Sequence, residues 1–225
     1  MQISTWLPYY VLAGVGLMIG SIAFVLARKP EDRKRSTVIF LMTILALVAW
    51  LGLATWLGIA DVYNGATRPY PTIQFGLCIP IVLGVLLSLI PSGRTLVARL
   101  SQRELVTAQV YRVLGGIFVF LWYQGQMPAL FAWPAGIGDI LIGLSAPFVA
   151  RTQNKTAMRL WNMLGLADLF IAVATGFMTS PSPFQMFAFN NPNLMITAFP
   201  IVLVPTFLVP ASVILHIISL RKLRQ

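Results

Sequence analysis

The chain has 225 residues, 58% of them hydrophobic and only 10% charged, with a mean hydropathy of +0.82. A soluble domain carries about a quarter charged residues, so this composition excludes one and makes the bilayer the solvent. The net charge of +10 falls in short clusters between apolar runs, a pattern of membrane topology that argues against a nucleic-acid partner.

The expected fold class is all-α, a polytopic membrane helix bundle of seven transmembrane helices in one domain spanning residues 1–225. The spans are approximately Trp6 to Ala27, Thr37 to Ile59, Thr72 to Ile90, Leu105 to Tyr123, Ala132 to Ala150, Leu160 to Met178 and Met195 to Leu220. No cation precedes the first run and five follow it, so it reads as an anchor and not a cleaved signal. With the N-terminus outside and the C-terminus inside, fourteen of the sixteen lysines and arginines fall on inner segments: Arg28 to Ser36, Pro91 to Glu104, Arg151 to Arg159 and the tail after Leu220. Only Arg68 is outside, and Arg112 lies within the fourth span. The sequon Asn154-Lys155-Thr156 is then on the inner side, beyond the reach of glycosylation.

Aromatic residues fit this orientation: Trp6, Tyr9, Tyr10, Trp56, Tyr63, Tyr70, Trp122, Tyr123 and Trp133 all fall near the outer boundary. Two uncharged, proline-punctuated stretches, Gln124 to Pro134 and Thr179 to Asn193, are expected at the outer interface, either as lids or as plain connectors. Pro200, Pro205 and Pro210 should bend or partly unwind the last span and free carbonyls that then need neighbours, with a milder effect of Pro80 on the third.

Three ionisable residues lie deep in the apolar runs: Arg112, Asp139 and Asp168. Counting helical rise from the inner flanks puts them roughly 14, 18 and 14 Å above the inner boundary. Charge at that depth is costly and marks a candidate substrate or proton site. Arg112 is the expected counter-ion of one or both aspartates, with Gln109 and Asn162 as a possible polar extension. Each aspartate sits on a line of small residues at helical spacing: Gly136, Asp139, Gly143 and Ala146 in one span, Gly165, Asp168, Ala172 and Thr175 in the next. The segments 136–146 and 165–175 resemble each other, a hint of an inverted pair. The alternative is a purely structural charge cluster that fixes helix register. His216, one turn from the inner end of the last span, reads as interfacial and not as a relay member. With one histidine and one cysteine, Cys78, there is no disulfide framework, haem pair or usual zinc set, so neither a cofactor nor a metal is expected.

The run Tyr111-Arg112-Val113-Leu114-Gly115-Gly116, followed by Pro128 to Ala132 and Pro134 to Asp139, resembles a pattern in uncharacterised bacterial multi-spanning integral membrane proteins. That resemblance implies a multi-pass protein of the bacterial inner membrane and no particular activity. Seven spans with an arginine and two buried aspartates also resemble microbial rhodopsins in outline. Lys29, Lys34, Lys155 and Lys222 all lie in loops or the tail, however, so a retinal Schiff base is excluded. The expected partners are the lipid bilayer and an unidentified small molecule or proton. A small-molecule or proton-coupled carrier is the leading reading. An intramembrane enzyme using two acids and a sensory or assembly subunit are the alternatives. No nucleophile elbow or phosphate-binding glycine loop supports the enzyme, and no catalytic residue is assigned.

Overall fold

The structure is a computed structural model that describes residues 5–27, 33–67, 70–152 and 154–224. Helix makes up 77% of it, and no strand occurs among the described residues. Hydrocarbon offers no hydrogen bonds, so apolar runs of this length satisfy their backbones by coiling. Arg28, Lys29 and Arg68, which entered the charge count above, lie outside the described residues.

The helices are α1 (Leu7–Ala27), α2 (Arg33–Ile59), α3 (Ile73–Leu87), α4 (Pro91–Arg99), α5 (Gln102–Thr107), α6 (Ile117–Tyr123), α7 (Ala129–Arg151), α8 (Lys155–Thr179) and α9 (Val209–Lys222). A nine-residue 3₁₀ segment, Ala108–Gly116, joins α5 to α6, and a π-helical turn, Val204–Leu208, leads into α9. Among the described residues six helical stretches are long and apolar enough to cross a membrane: α1, the Phe40–Ile59 part of α2, Gln102–Tyr123, α7, α8 and Val204–Lys222. A seventh exists only if α3 and α4 count as one span bent by 89°. The sequence reads 72–90 as one span mildly bent at Pro80, whereas the helix stops at Ser88, whose Oγ donates to Val85 O and accepts from Arg221 Nη1 of α9. Pro91 then starts α4 in a new direction.

The stretch Gln124 to Pro134 is not an outer loop. Helix α7 already begins at Ala129 and includes Pro134, leaving a short turn through Gly125 at φ +71°. The segment 179–193 does fold over one end of the bundle. Met186 and Phe187 donate their N–H groups to Met178 O (2.9 and 3.0 Å), and Asn193 N donates to Thr179 O (2.9 Å). The last span is disrupted as its prolines imply. Pro210 has no N–H for the carbonyl four residues back, and that carbonyl, Thr206 O, receives Trp50 Nε1 instead (3.1 Å). Leu208 O is taken by the hydroxyl of Tyr111 (3.1 Å).

The packed core is formed by the 3₁₀ segment, α7, α8 and α9, with α1 across the 3₁₀ segment. Only 6% of the Phe40–Ile59 span is buried against protein, so α2 presents Leu41, Leu45 and Trp56 outward as a lipid-facing helix would.

Candidate functional site

Arg112 emerges from the middle of the 3₁₀ segment, where the backbones of three helices come close. Of the two lines expected from spacing, the first is packed, with Gly136, Gly143 and Ala146 of α7 buried, whereas in the second Gly165 is buried and Ala172 and Thr175 are half-buried. A side chain on Gly143 would meet Val113 N of the 3₁₀ segment at 2.5 Å, so glycine there permits backbone-to-backbone contact. The next three glycines act as seats for the polar side chains. Gly115 lies under the Asp139 carboxylate, Gly138 under that of Asp168, and Gly165 under the His216 ring; a Cβ at any of them would collide with the group it carries.

On these seats the guanidinium bridges both acids. Arg112 Nε donates to Asp139 Oδ1 (2.7 Å), and Nη2 donates to Asp168 Oδ2. The arginine side chain is 2% exposed and each aspartate 15%. The helical-rise count placed the three at similar depth, and a single guanidinium now meets both carboxylates. Nη1 donates to Gly165 O (3.4 Å) and faces His216 Nε2 at 3.2 Å. A guanidinium nitrogen only donates, so His216 Nε2 must accept, which leaves the proton on Nδ1 to be donated to Asn162 Oδ1 (2.8 Å). The amide of Asn162 passes on to Met158 O (2.7 Å) and Ser219 Oγ (2.9 Å), and Gln102 Nε2 also reaches Ser219 Oγ (2.6 Å). One hydrogen-bonded spine thus runs from the carboxylates to the start of α5.

His216 is therefore not interfacial: it is fully buried in the polar cluster. Position alone misled here. The useful signal was periodic, since Ser212, His216 and Ser219 fall on one face of α9. Asn162 joins the cluster through His216. Gln109 does not; its amide exchanges hydrogen bonds with Ser212 O and Oγ (3.1 and 3.0 Å), beside the Tyr111 hydroxyl, and ties the fourth span to α9.

A cavity of about 770 Å³, mouth included, runs from the loop residues Gly65, Pro71 and Ser182 past Phe118, Phe131 and Leu169 to Asp139. A second, of about 450 Å³, lies between α1, the 3₁₀ segment and α9 and touches both Arg112 and Asp139. Asp139 lines both cavities, and Asp168 lines neither. Asp139 Oδ2, which lies over Gly115, accepts no hydrogen bond among the described residues, so the carboxylate keeps acceptor capacity. By charge count the cluster holds two acids against one guanidinium and a neutral imidazole. A low-dielectric setting favours neutrality, which calls for one further positive charge, a proton or a cation. No group of three or more His, Cys, Asp or Glu that could hold a metal occurs among the described residues.

Fold and site together define a class: an all-helical protein with several apolar helices of membrane-spanning length, organised around a buried arginine that pairs two aspartates. Within that class, residues 69–224 match the family model described as a domain of unknown function (DUF8737), and the chain belongs to that family. The matched region runs past α3 to α9 and includes all members of the polar cluster, while α1 and α2 lie before it. No curated protein and no solved structure matches the chain.

Proposed function

We propose that the protein is a seven-span carrier of the bacterial inner membrane, N-terminus outside, that moves a proton or a small positively charged molecule past Asp139. The two cavities that Asp139 lines, with one oxygen of its carboxylate free of hydrogen bonds, are the observation that supports this most directly. A scaffold needs no such space. An enzyme dividing acid and base roles needs both carboxyls facing its substrate, and Asp168 lines neither cavity, which weighs against that reading. The orientation rests on the cation count and on the aromatic residues near the cavity mouth. In the transport cycle Arg112 holds Asp168 ionised, and Asp139 takes up the proton or cation that restores neutrality.

The test uses the proton as its probe. Full-length protein is reconstituted into liposomes containing a trapped pH dye, and an inside-negative potassium diffusion potential is imposed. The wild type should acidify the lumen faster than empty liposomes, and Asp139→Asn should reduce the excess rate at least about tenfold, the scale of one lost charge interaction, with unchanged protein incorporation. A wild type as tight as empty liposomes would overturn the proton as the cargo, and an undiminished Asp139→Asn would overturn the role given to Asp139.

A further inference from the structure

The geometry points to a second binding site, at the opposite end of the spine: a basic cavity where α5, α7, α8 and α9 meet, which takes the phosphate of an anionic phospholipid headgroup. The cavity measures about 940 Å³, mouth included, and four cations line it: Arg103, Arg151, Lys155 and Lys222. No carboxylate is among its described lining residues, and Arg103, Arg151 and Lys155 form no ion pair among the described residues. Lys222 donates to Val97 O (3.2 Å), a residue of the neighbouring cavity that Lys222 also lines.

Two of these positions are unexpected for a helix. Arg151 and Lys222 sit in last turns, where a cation complements the helix dipole. Arg103 and Lys155 sit in first turns, where a cation opposes it, and Asn154 already caps α8 through its Oδ1. The first turn of α5 also carries Glu104 and that of α8 no acid, and four like charges around one concavity are stabilised by an anion. The neighbours select its kind. Gln102, at the cavity wall, is held through its Nε2 by Ser219 Oγ (2.6 Å). Ala150, Met158 and Leu223 supply apolar wall for the glycerol end. Basic pockets between helix ends are places where anionic lipid heads bind. This site does not depend on the carrier reading, since it lies outside both cavities that reach Asp139.

The same phosphate chemistry is offered by free phosphate, and the experiment separates the two sources. Purified full-length protein in neutral detergent is titrated with phosphatidylglycerol, phosphatidylcholine or inorganic phosphate, and bound lipid is counted by native mass spectrometry alongside thermal unfolding. Phosphatidylglycerol should be retained and should raise the unfolding temperature, and phosphatidylcholine should do neither. Arg103→Gln combined with Lys155→Gln should weaken phosphatidylglycerol binding about 25-fold, roughly fivefold per cation removed. Arg159→Gln, a cation of the same helix end outside the cavity lining, should leave it unchanged. Retention counted on the wild type keeps the test valid if the double variant folds poorly. Equal retention of both lipids, or an equal loss with Arg159→Gln, overturns the site. Protection by inorganic phosphate that phosphatidylglycerol cannot add to overturns the lipid as its occupant.

Discussion

Arg112 uses all three of its guanidinium nitrogens on different partners: Nε on Asp139, Nη2 on Asp168, and Nη1 on Gly165 O and His216. A point-charge lysine cannot reproduce that fork. Arg112→Ala strands two buried acids and should destabilise the fold by about 3–5 kcal/mol. Adding Asp168→Asn removes one of the stranded charges, so the double variant should unfold at a higher temperature in detergent than the single one. No recovery would mean that the pair does not bear on stability as the geometry implies. Asn193 supplies a contrasting case. It is fully buried, and neither its Nδ2 nor its Oδ1 has a hydrogen-bond partner. An unsatisfied buried amide costs about 1–3 kcal/mol, while an apolar side chain of similar shape avoids that cost. Asn193→Leu should therefore be neutral or stabilising in the same unfolding assay, unlike almost any other fully buried polar residue in the chain.

At the scale of elements, the close approach of α7 to the 3₁₀ segment depends on a glycine that meets backbone, which cannot rotate away. Gly143→Ala should force the two elements apart and destabilise by about 1–3 kcal/mol, whereas Gly52→Ala on α2, where a Cβ meets nothing within 4 Å, should be tolerated. Equal unfolding temperatures for the two variants would remove the seam from the account. This seam was legible in the sequence because small residues at helical spacing around an acid have one economical explanation in lipid. Three other features were not. The tightening of Ala108–Gly116 into 3₁₀ depends on contacts from α1 and α7, such as the Tyr10 hydroxyl on Leu114 O (2.8 Å), which lie far away in the chain. The stop at Ser88 depends on Arg221, more than 130 residues distant by the separation of 133. His216 was misplaced because counting turns to a boundary measures depth but not which way a ring points. Hydropathy finds the apolar runs, but the contacts that end or tighten a helix come from its neighbours.

For the whole molecule, orientation is the claim on which the transport direction depends, and it separates two faces with opposite chemistry. One face gathers the loop 179–193 and the mouth of the Asp139 cavity; the other gathers Arg103, Arg151, Lys155 and Lys222 around the basic cavity. The cation bias that suggests which face is cytoplasmic is a tendency of short loops near span ends; Asn190 lies in such a connection and Thr156 in the first turn of α8, both at exposed positions. Single-cysteine variants at these two positions, in a Cys78→Ala background, therefore read the two faces independently. In intact cells a membrane-impermeant maleimide should label Asn190→Cys, and it should label Thr156→Cys only after permeabilisation. The reverse pattern would invert the bundle and carry the open mouth of the Asp139 cavity to the cytoplasm, so that the carrier would load from the opposite side. Labelling of both positions from outside would break the alternation of spans between α8 and its neighbours, and the seven-span assignment would fall, because α8 alone, 25 residues from Lys155 to Thr179, separates those two sites.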